Sequence, residues 1–115
     1  MDERRQHLRI RRRQKIALFL SDGSTEYMWT VNVSRAGLQA HTPHLVDVGS
    51  RFRIATAIFD ESRDAYVTIY AKVEVMHKVY DGEFEAYRIG MRFLSFEGKG
   101  EAIYTNFVKG LELRL

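Results

Sequence analysis

Hydrophobic and polar residues alternate with a period of two through most of the chain after residue 15. The longest run spans residues 67–75 and places small or β-branched residues on one parity, namely Val67, Ile69, Ala71, Val73 and Val75. A period of two puts these side chains on one face of an extended strand, and β-branched residues suit a pleated, half-buried surface. The chain is therefore predicted to fold around β-strands rather than as a helical bundle.

Further strands are predicted on both sides of this run. Residues 87–93 alternate in the same way, and an Asp-Gly pair within residues 80–83 favours a hairpin turn between the two long strands. Shorter strand candidates, with turn residues between them, cover residues 14–20, 27–33, 38–41 and 52–59. The pattern thus predicts six strands.

The last segment has a helical pattern instead. Ile103, Phe107 and Leu111 recur at every fourth position, which predicts an amphipathic helix over residues 99–109. Gly110 is expected to end its regular part. Six strands and one terminal helix predict an all-β fold, a small closed six-stranded antiparallel β-barrel with a C-terminal α-helix.

The first fifteen residues carry the positive charge of the chain. They hold seven basic and two acidic side chains, a net charge of +5, which leaves −2 for the other hundred residues because the total is +3. We therefore distinguish a basic arm, residues 1–13, from a barrel domain, residues 14–115, and expect the arm to be the part that attracts anions. Because the arm precedes the first predicted strand, we expect the sheet to leave its conformation open.

The sequence offers few routes to catalysis. It contains no cysteine, which excludes disulfides, zinc ribbons and thiol nucleophiles. Its four histidines lack the spacing of a metal-binding pair, and it has neither a nucleophile elbow nor a phosphate-binding glycine loop. We therefore expect a protein that is not an enzyme and that needs no metal or cofactor.

Membrane and export signals are also missing from the sequence. No segment has the ~20 apolar residues of a membrane span, and the start lacks the apolar run of a signal peptide. With the absence of cysteine, this predicts a stand-alone, single-domain protein of the cytoplasm.

Two local patterns contain residues that suit an anionic nucleotide. The first is Arg-x-x-x-Arg, formed by Arg5 and Arg9 in the arm. The second is Asn-x-Ser-x-x-Gly, formed by Asn32, Ser34 and Gly37 where one predicted strand turns into the next. Alone, the first is also typical of a solvated basic tail, and the second of a plain hairpin turn.

Together, in this order on a small all-β chain, the two patterns resemble the PilZ domain, the bacterial receptor module for cyclic diguanylate (c-di-GMP). The sequence Ile-Gly-Met-Arg-Phe at residues 89–93 also resembles the family's last barrel strand, and a helix follows it as in the family. The resemblance extends from residue 3 to about residue 108. It implies a six-stranded barrel whose N-terminal arginine segment folds over a nucleotide bound on the barrel surface.

The resemblance implies that arginines of the arm hold the ligand. Arg5 and Arg9 would bind its guanines and phosphates, because a guanidinium can bond bidentately to guanine O6 and N7, grip phosphate oxygens and stack on purines. Arg4 is a further candidate contact. Arg9 and Arg13 form a second Arg-x-x-x-Arg frame, but Arg5 and Arg9 fit the family's Glu-Arg-Arg lead-in better. The roles of the three consecutive arginines at residues 11–13 stay open.

The resemblance also implies that the second pattern binds the ligand from the barrel surface. Asn32 would bond a guanine edge, although it lacks the charge that an aspartate would bring there. Ser34 would donate its hydroxyl to the ligand. Gly37 would let the backbone turn close to the base.

These residues favour a receptor that binds c-di-GMP, changes the conformation of its arm and then acts on an unidentified protein partner. We expect residues 1–8 to be mobile without the ligand and ordered with it. One alternative is a protein-interaction module of the same fold that has no nucleotide ligand. Another is a small nucleic-acid-binding barrel that uses Trp29, Tyr66 and Tyr70 for stacking, but the absence of a known RNA-binding aromatic motif disfavours nucleic acid as a partner.

Overall fold

The computed structural model describes residues 8–115, and within them the chain forms seven β-strands followed by one α-helix. In chain order they are β1 Ile10–Arg11, β2 Lys15–Phe19, β3 Thr25–Val33, β4 Gly37–Thr42, β5 Arg51–Asp60, β6 Ala65–Asp81, β7 Ala86–Phe96 and α1 Gly100–Glu112. The six predicted strands correspond to β2 through β7, and the predicted helix corresponds to α1.

Strands β2 to β7 close into an antiparallel barrel. Neighbours follow the order β3-β2-β5-β6-β7-β4, and β4 pairs again with β3. Closure pairs the backbone groups that an edge strand would leave exposed. The interior is filled by apolar side chains from all six strands, among them Ile16, Met28, Leu38, Ile54, Ile69, Val73, Val75 and Ile89. The predicted all-β fold, a closed six-stranded antiparallel barrel with a C-terminal helix, is confirmed.

Strand β1 is a short element that the sequence pattern does not predict. Ile10 pairs with Val33 and Arg11 pairs with Asn32, on the edge of β3 that β2 also uses. Ile10 is only 6% exposed and belongs to the core. The expectation that the sheet leaves the arm's conformation open is therefore wrong for residues 10 and 11. The expected mobility of the arm falls mainly on residues 1–7, which lie outside the described residues.

Between β1 and β2 the regular pairing with β3 is interrupted, but Arg12 N still donates to the carbonyl of Val31 and Thr30 N to that of Gln14, and the buried hydroxyl of Thr30 adds further bonds. The main-chain nitrogen of Gln14 donates to Thr30 Oγ1 at 2.8 Å, and this hydroxyl donates in turn to the carbonyl of Arg12. The side-chain amide of Gln14 donates to Thr56 Oγ1 on β5 at 2.8 Å. Because buried polar groups need hydrogen-bond partners, these contacts fix the path of the arginine-rich segment along the barrel.

Helix α1 packs against β5, β6 and β7 and adds an aromatic layer to the core. Its buried side chains include Tyr104, Val108 and Leu111. The ring of Tyr104 lies 4.7 Å from the ring of Phe93 and 5.6 Å from that of Phe96, measured between centroids. Contacts of this kind contribute beyond the apolar area that they bury.

The sequence predicts that the helix ends at Gly110, but α1 continues to Glu112. Leu111, only 7% exposed, explains the difference. Burying such a side chain is worth roughly 1.5–3 kcal/mol, whereas glycine within a helix costs about 1 kcal/mol relative to alanine. The extra turn is therefore favourable.

The hairpin between β6 and β7 has a longer loop than the predicted turn. Asp81 stays in the strand and pairs with Ala86, so that residues 82–85 form the loop. Its left-handed residue is Glu85, with a φ of 49°. The Asp81 carboxylate lies 3.2 Å from Nε2 of His41, which holds this end of β6 against β4.

Candidate functional site

Residues on neighbouring strands form one row across the outer face of the barrel. Asn32 on β3 is opposite Gln39 on β4, Gln39 is opposite Gly90 on β7, and Gly90 is opposite His77 on β6. Opposite residues of antiparallel strands project from the same face of the sheet. We call Asn32, Gln39, Gly90 and His77 the polar row. Arg11 on β1 is opposite Asn32 and extends the row at one end.

Two β-bulges turn the end members of the polar row outward. Strict alternation would point Asn32 and His77 into the core, because the residues two positions earlier, Thr30 and Val75, are buried. The register shifts between Thr30 and Asn32, and again between Val75 and His77. A bulge adds one residue to a strand and so reverses the face on which the next side chain lies. The row thus exists because of two local irregularities.

Hydrogen bonds and one glycine connect the members of the polar row. Nδ2 of Asn32 donates to Oε1 of Gln39 at 2.9 Å, and Nε2 of Gln39 lies 3.5 Å from Nε2 of His77. A Cβ atom at Gly90 would lie 2.1 Å from that same histidine nitrogen. The imidazole therefore occupies the space above Gly90, and this is how His77 reaches across β7 toward Gln39.

The turn between β3 and β4 borders the row and is held from within. The main-chain nitrogen of Ser34 donates to the carbonyl of Gly37 at 2.9 Å. The main-chain nitrogen of Gly37 donates in turn to Ser34 Oγ at 3.2 Å. The carbonyl of Ala36 accepts a bond from the nitrogen of Phe93 at 3.0 Å. The hydroxyl of Tyr104 on α1 donates to the carbonyl of Ser34 at 2.7 Å. We call residues 34–36 the motif turn.

Gly37 is required by the approach of β4 to β7. A Cβ atom there would lie 2.1 Å from the carbonyl oxygen of Met91, far inside van der Waals contact. The family resemblance implies that Gly37 brings the backbone close to a base. The structure shows a different steric demand at this residue, which is close contact between two strands beside the motif turn.

An open cavity of about 180 Å³ lies between the polar row and the motif turn. The structure brings four of the six predicted ligand-binding residues together in its lining, namely Arg9, Asn32, Ser34 and Gly37. The other two, Arg4 and Arg5, lie outside the described residues. The concave surface therefore gathers residues from the arm, from β3, from the turn and from β4.

Several residues that line this cavity are not predicted by the sequence pattern. Gln39, Met76 and His77 belong to the same cavity, as does Arg92, whose guanidinium donates to Oε1 of Glu74 at 2.8 Å. This bond holds the pKa of the Glu74 carboxyl below its ordinary value. Gln39 follows Gly37 at the spacing of one face, which is a usable signal, whereas His77 reaches this face only through its bulge.

The consecutive arginines next to β1 contact aromatic rings. The guanidinium of Arg12 lies 5.4 Å from the ring centroid of Phe107 on α1, and that of Arg13 lies 4.6 Å from the centroid of Trp29 on β3. Such cation–π contacts stabilise a charge on the surface of a fold. Of the arginines in residues 8–13, the cavity lining includes only Arg9.

Among residues 8–115, no three His, Cys, Asp or Glu side chains are grouped so that they could hold a metal ion. No helix in that range combines the length and the apolar character needed to cross a bilayer.

Solved structures with this fold include proteins from Bacillus subtilis and Escherichia coli. The structure of Bacillus subtilis Inhibitor of motility (MotI/DgrA) is similar with a TM-score of 0.78 and 13% identity, over 97% of this chain and 51% of that one. The PilZ domain of Escherichia coli YcgR, solved with c-di-GMP, matches with a TM-score of 0.67 and 22% identity, over 97% and 94% of the two chains. YcgR in complex with c-di-GMP matches with a TM-score of 0.72 and 19% identity, over 96% and 47%. The chain thus spans about half the length of MotI/DgrA.

A comparison with family models gives the more specific result. No curated protein matches the sequence. The model of the PilZ domain matches residues 3–110, which is nearly the whole chain and includes both sequence motifs. The match agrees with the barrel, the terminal helix and the predicted resemblance, and so the chain belongs to the PilZ domain family.

Proposed function

We propose that this chain is a receptor that binds c-di-GMP in the cavity between the polar row and the motif turn. The observation that carries the proposal is the convergence of Arg9, Asn32, Ser34 and Gly37 on that one cavity. These residues are distant in sequence, and β1 together with the bulge in β3 is what brings them to one surface. The two similar YcgR structures, which contain c-di-GMP, support the same ligand.

The chemistry of the cavity suits a guanine nucleotide with phosphodiester groups. The guanidinium of Arg9 offers a fork of donors for phosphate oxygens or for guanine O6 and N7. The amide of Asn32 offers an acceptor for the N–H groups of a guanine edge. The hydroxyl of Ser34 donates to the carbonyl of Gly37 at 3.2 Å, and it can turn from there to donate to the ligand. Arg92 adds positive charge at the rim, but its bond to Glu74 offsets most of it. Arg9 therefore has the larger electrostatic role among the described residues.

The register of β1 supports a role for the rest of the arm. Because Arg11 pairs with Asn32, the chain that precedes β1 starts from a position beside the cavity. Arg4 and Arg5 are five or six residues from Ile10, a length of chain that can reach a ligand in the cavity. We assign them to the same ligand as Arg9, with Arg5 and Arg9 as the arginine pair.

The contacts of the motif turn support a signalling role rather than catalysis. Tyr104 bonds the Ser34 carbonyl, and the guanidinium of Arg35 donates to the carboxylate of Glu112 at the end of α1. A ligand that touches both Arg9 and the turn can thus alter the arm and the surface near α1. We assign to this surface the contact with a downstream protein.

Calorimetric titration tests the proposal directly. The protein should bind c-di-GMP saturably and should bind GTP much more weakly, because GTP offers one guanine and no cyclic phosphodiester. Asn32→Ala should weaken binding, whereas Asn106→Ala, which removes an exposed amide on α1, should leave it unchanged. Absence of heat and of any shift in melting temperature at tens of micromolar c-di-GMP would contradict the proposal, since a ligand specific for the folded state must stabilise it.

A further inference from the structure

Gln39 is a half-buried residue on β4 whose amide touches the asparagine of the second motif. Its Oε1 accepts the bond from Asn32 Nδ2 at 2.9 Å, while its own Nε2 faces His77. Within residues 8–115, no hydrogen bond is made to the other polar atom of that asparagine, Oδ1. Among the described residues, the donor end of the Asn32 amide is therefore bonded to Gln39, and Asn32 itself lines the cavity.

The orientation of this amide decides which base it can bind. A primary amide presents an acceptor at one end and two donors at the other, with nearly the same shape. The Watson–Crick edge of guanine offers donors at N1 and at its 2-amino group, which need an acceptor. Adenine offers one donor, its 6-amino group, and an acceptor at N1 that repels an amide oxygen, so it can give that oxygen fewer bonds than guanine can. An Asn32 side chain able to rotate would serve both bases, whereas one fixed with its oxygen toward the cavity favours guanine.

We propose that Gln39 is a specificity-determining residue, which selects guanine by fixing the Asn32 amide with its oxygen toward the ligand. The inference rests on the proposed function, because it concerns the same ligand. Gln39 acts here as a positioning residue and need not touch the base itself.

His77, which lies over Gly90, keeps Gln39 in the required orientation. The imidazole lies over Gly90 and places Nε2 at 3.5 Å from the Gln39 nitrogen. In the tautomer with its proton on Nδ1, this histidine nitrogen is an acceptor, so Gln39 directs its NH₂ group toward His77 and its oxygen toward Asn32. In that tautomer the polar row is a directed chain, in which Asn32 donates to Gln39 and Gln39 donates to His77.

Affinities for two cyclic dinucleotides test the inference. We define guanine preference as the Kd for cyclic diadenylate divided by the Kd for c-di-GMP. Gln39→Leu should lower this ratio about tenfold, which corresponds to one neutral hydrogen bond. Gln39→Glu, which still offers an acceptor to Asn32 Nδ2, should keep the ratio. Asn106→Leu, which removes an exposed amide that does not line the cavity, is the matched control and should keep it too.

A second substitution separates positioning from a general structural effect. In the Gln39→Leu background, Asn32→Asp should restore the guanine preference, because both carboxylate oxygens accept and no orientation has to be fixed. The carboxylate also strengthens the bonds to the guanine edge, so the ratio is compared with that of Asn32→Asp alone, and positioning by Gln39 predicts that Gln39→Leu no longer lowers the ratio in that background.

Three outcomes are distinct. A ratio that Gln39→Leu lowers in the wild-type background but not in the Asn32→Asp background supports the inference. A wild-type protein that binds c-di-GMP while Gln39→Leu keeps the full preference overturns the inference alone, as does a ratio that Gln39→Leu lowers in both backgrounds. A wild-type protein that binds neither dinucleotide overturns the proposed function and the inference with it.

Discussion

The hydroxyl of Tyr104 donates a hydrogen bond of 2.7 Å to the main-chain carbonyl of Ser34, joining helix α1 to the motif turn. Burial raises the pKa of the Tyr104 phenol well above its ordinary value, so the group stays a donor across the pH range in which the protein folds. The helix is therefore a structural support of the cavity as well as part of the core.

Tyr104→Phe should weaken both the fold and the turn. The change leaves the Ser34 carbonyl without this donor, so the free energy of unfolding should fall by about 1–2 kcal/mol, and the affinity for c-di-GMP should fall with it. Urea denaturation with and without ligand measures both effects. Tyr66→Phe, at a ring that is 74% exposed, is the matched control and should change neither. Equal stability of the two variants would show that the bond is dispensable.

Gly37→Ala should be far more disruptive than its size suggests. Its Cβ would meet the Met91 carbonyl at 2.1 Å, so β4 and β7 must separate at the point where the barrel closes next to the cavity. We expect a loss of at least about 2 kcal/mol, as for other overpacked sites. Gly82→Ala is the control, because its Cβ would meet only a Tyr80 side-chain atom at 3.7 Å. Melting temperatures within a degree of each other for the two variants would refute the steric role.

The arginines of the arm should differ in their effect on binding. Arg5→Ala and Arg9→Ala should each cost about 1–3 kcal/mol, roughly 5- to 150-fold in affinity, if they form bidentate contacts. Arg13→Ala should cost less than about 0.7 kcal/mol, because Arg13 lies over Trp29 and can act only as a screened charge. Titrations at one salt concentration compare them. A larger loss for Arg13→Ala than for Arg5→Ala would assign the ligand to the second arginine frame.

Acid should weaken the fold partly through Glu97. Its bond to Arg53, at 2.7 Å, lowers the pKa of this carboxyl below the ordinary value of 4.5. A carboxyl with a lower pKa in the folded state stabilises the fold above its unfolded pKa and loses this contribution as the pH falls through the folded value. Denaturation midpoints of wild type and Glu97→Gln should therefore differ at pH 7 and converge in acid below about pH 4. A gap that widens toward acid would show that the sign is wrong.

The main strands and the family could be predicted because β6 and β7 have long, regular alternation and because the two motifs are intact. Strand β1 could not, since Ile10 is a single apolar residue among arginines and pairs with β3 only in three dimensions. The polar row could not be predicted either, because the bulge before His77 moves this side chain to the face opposite the one that alternation predicts. Register, and not composition, brings Gln39 and His77 to Asn32.

Amide NMR during a titration tests whether c-di-GMP binds in the cavity between the polar row and the motif turn. We expect the largest shifts at residues 34–37 and in the side-chain amides of Asn32 and Gln39, with little change at Asn106 on α1, which is not among the residues that line this cavity. Saturable binding whose shifts cluster around Asn106 and leave the motif turn unchanged would contradict binding in this cavity.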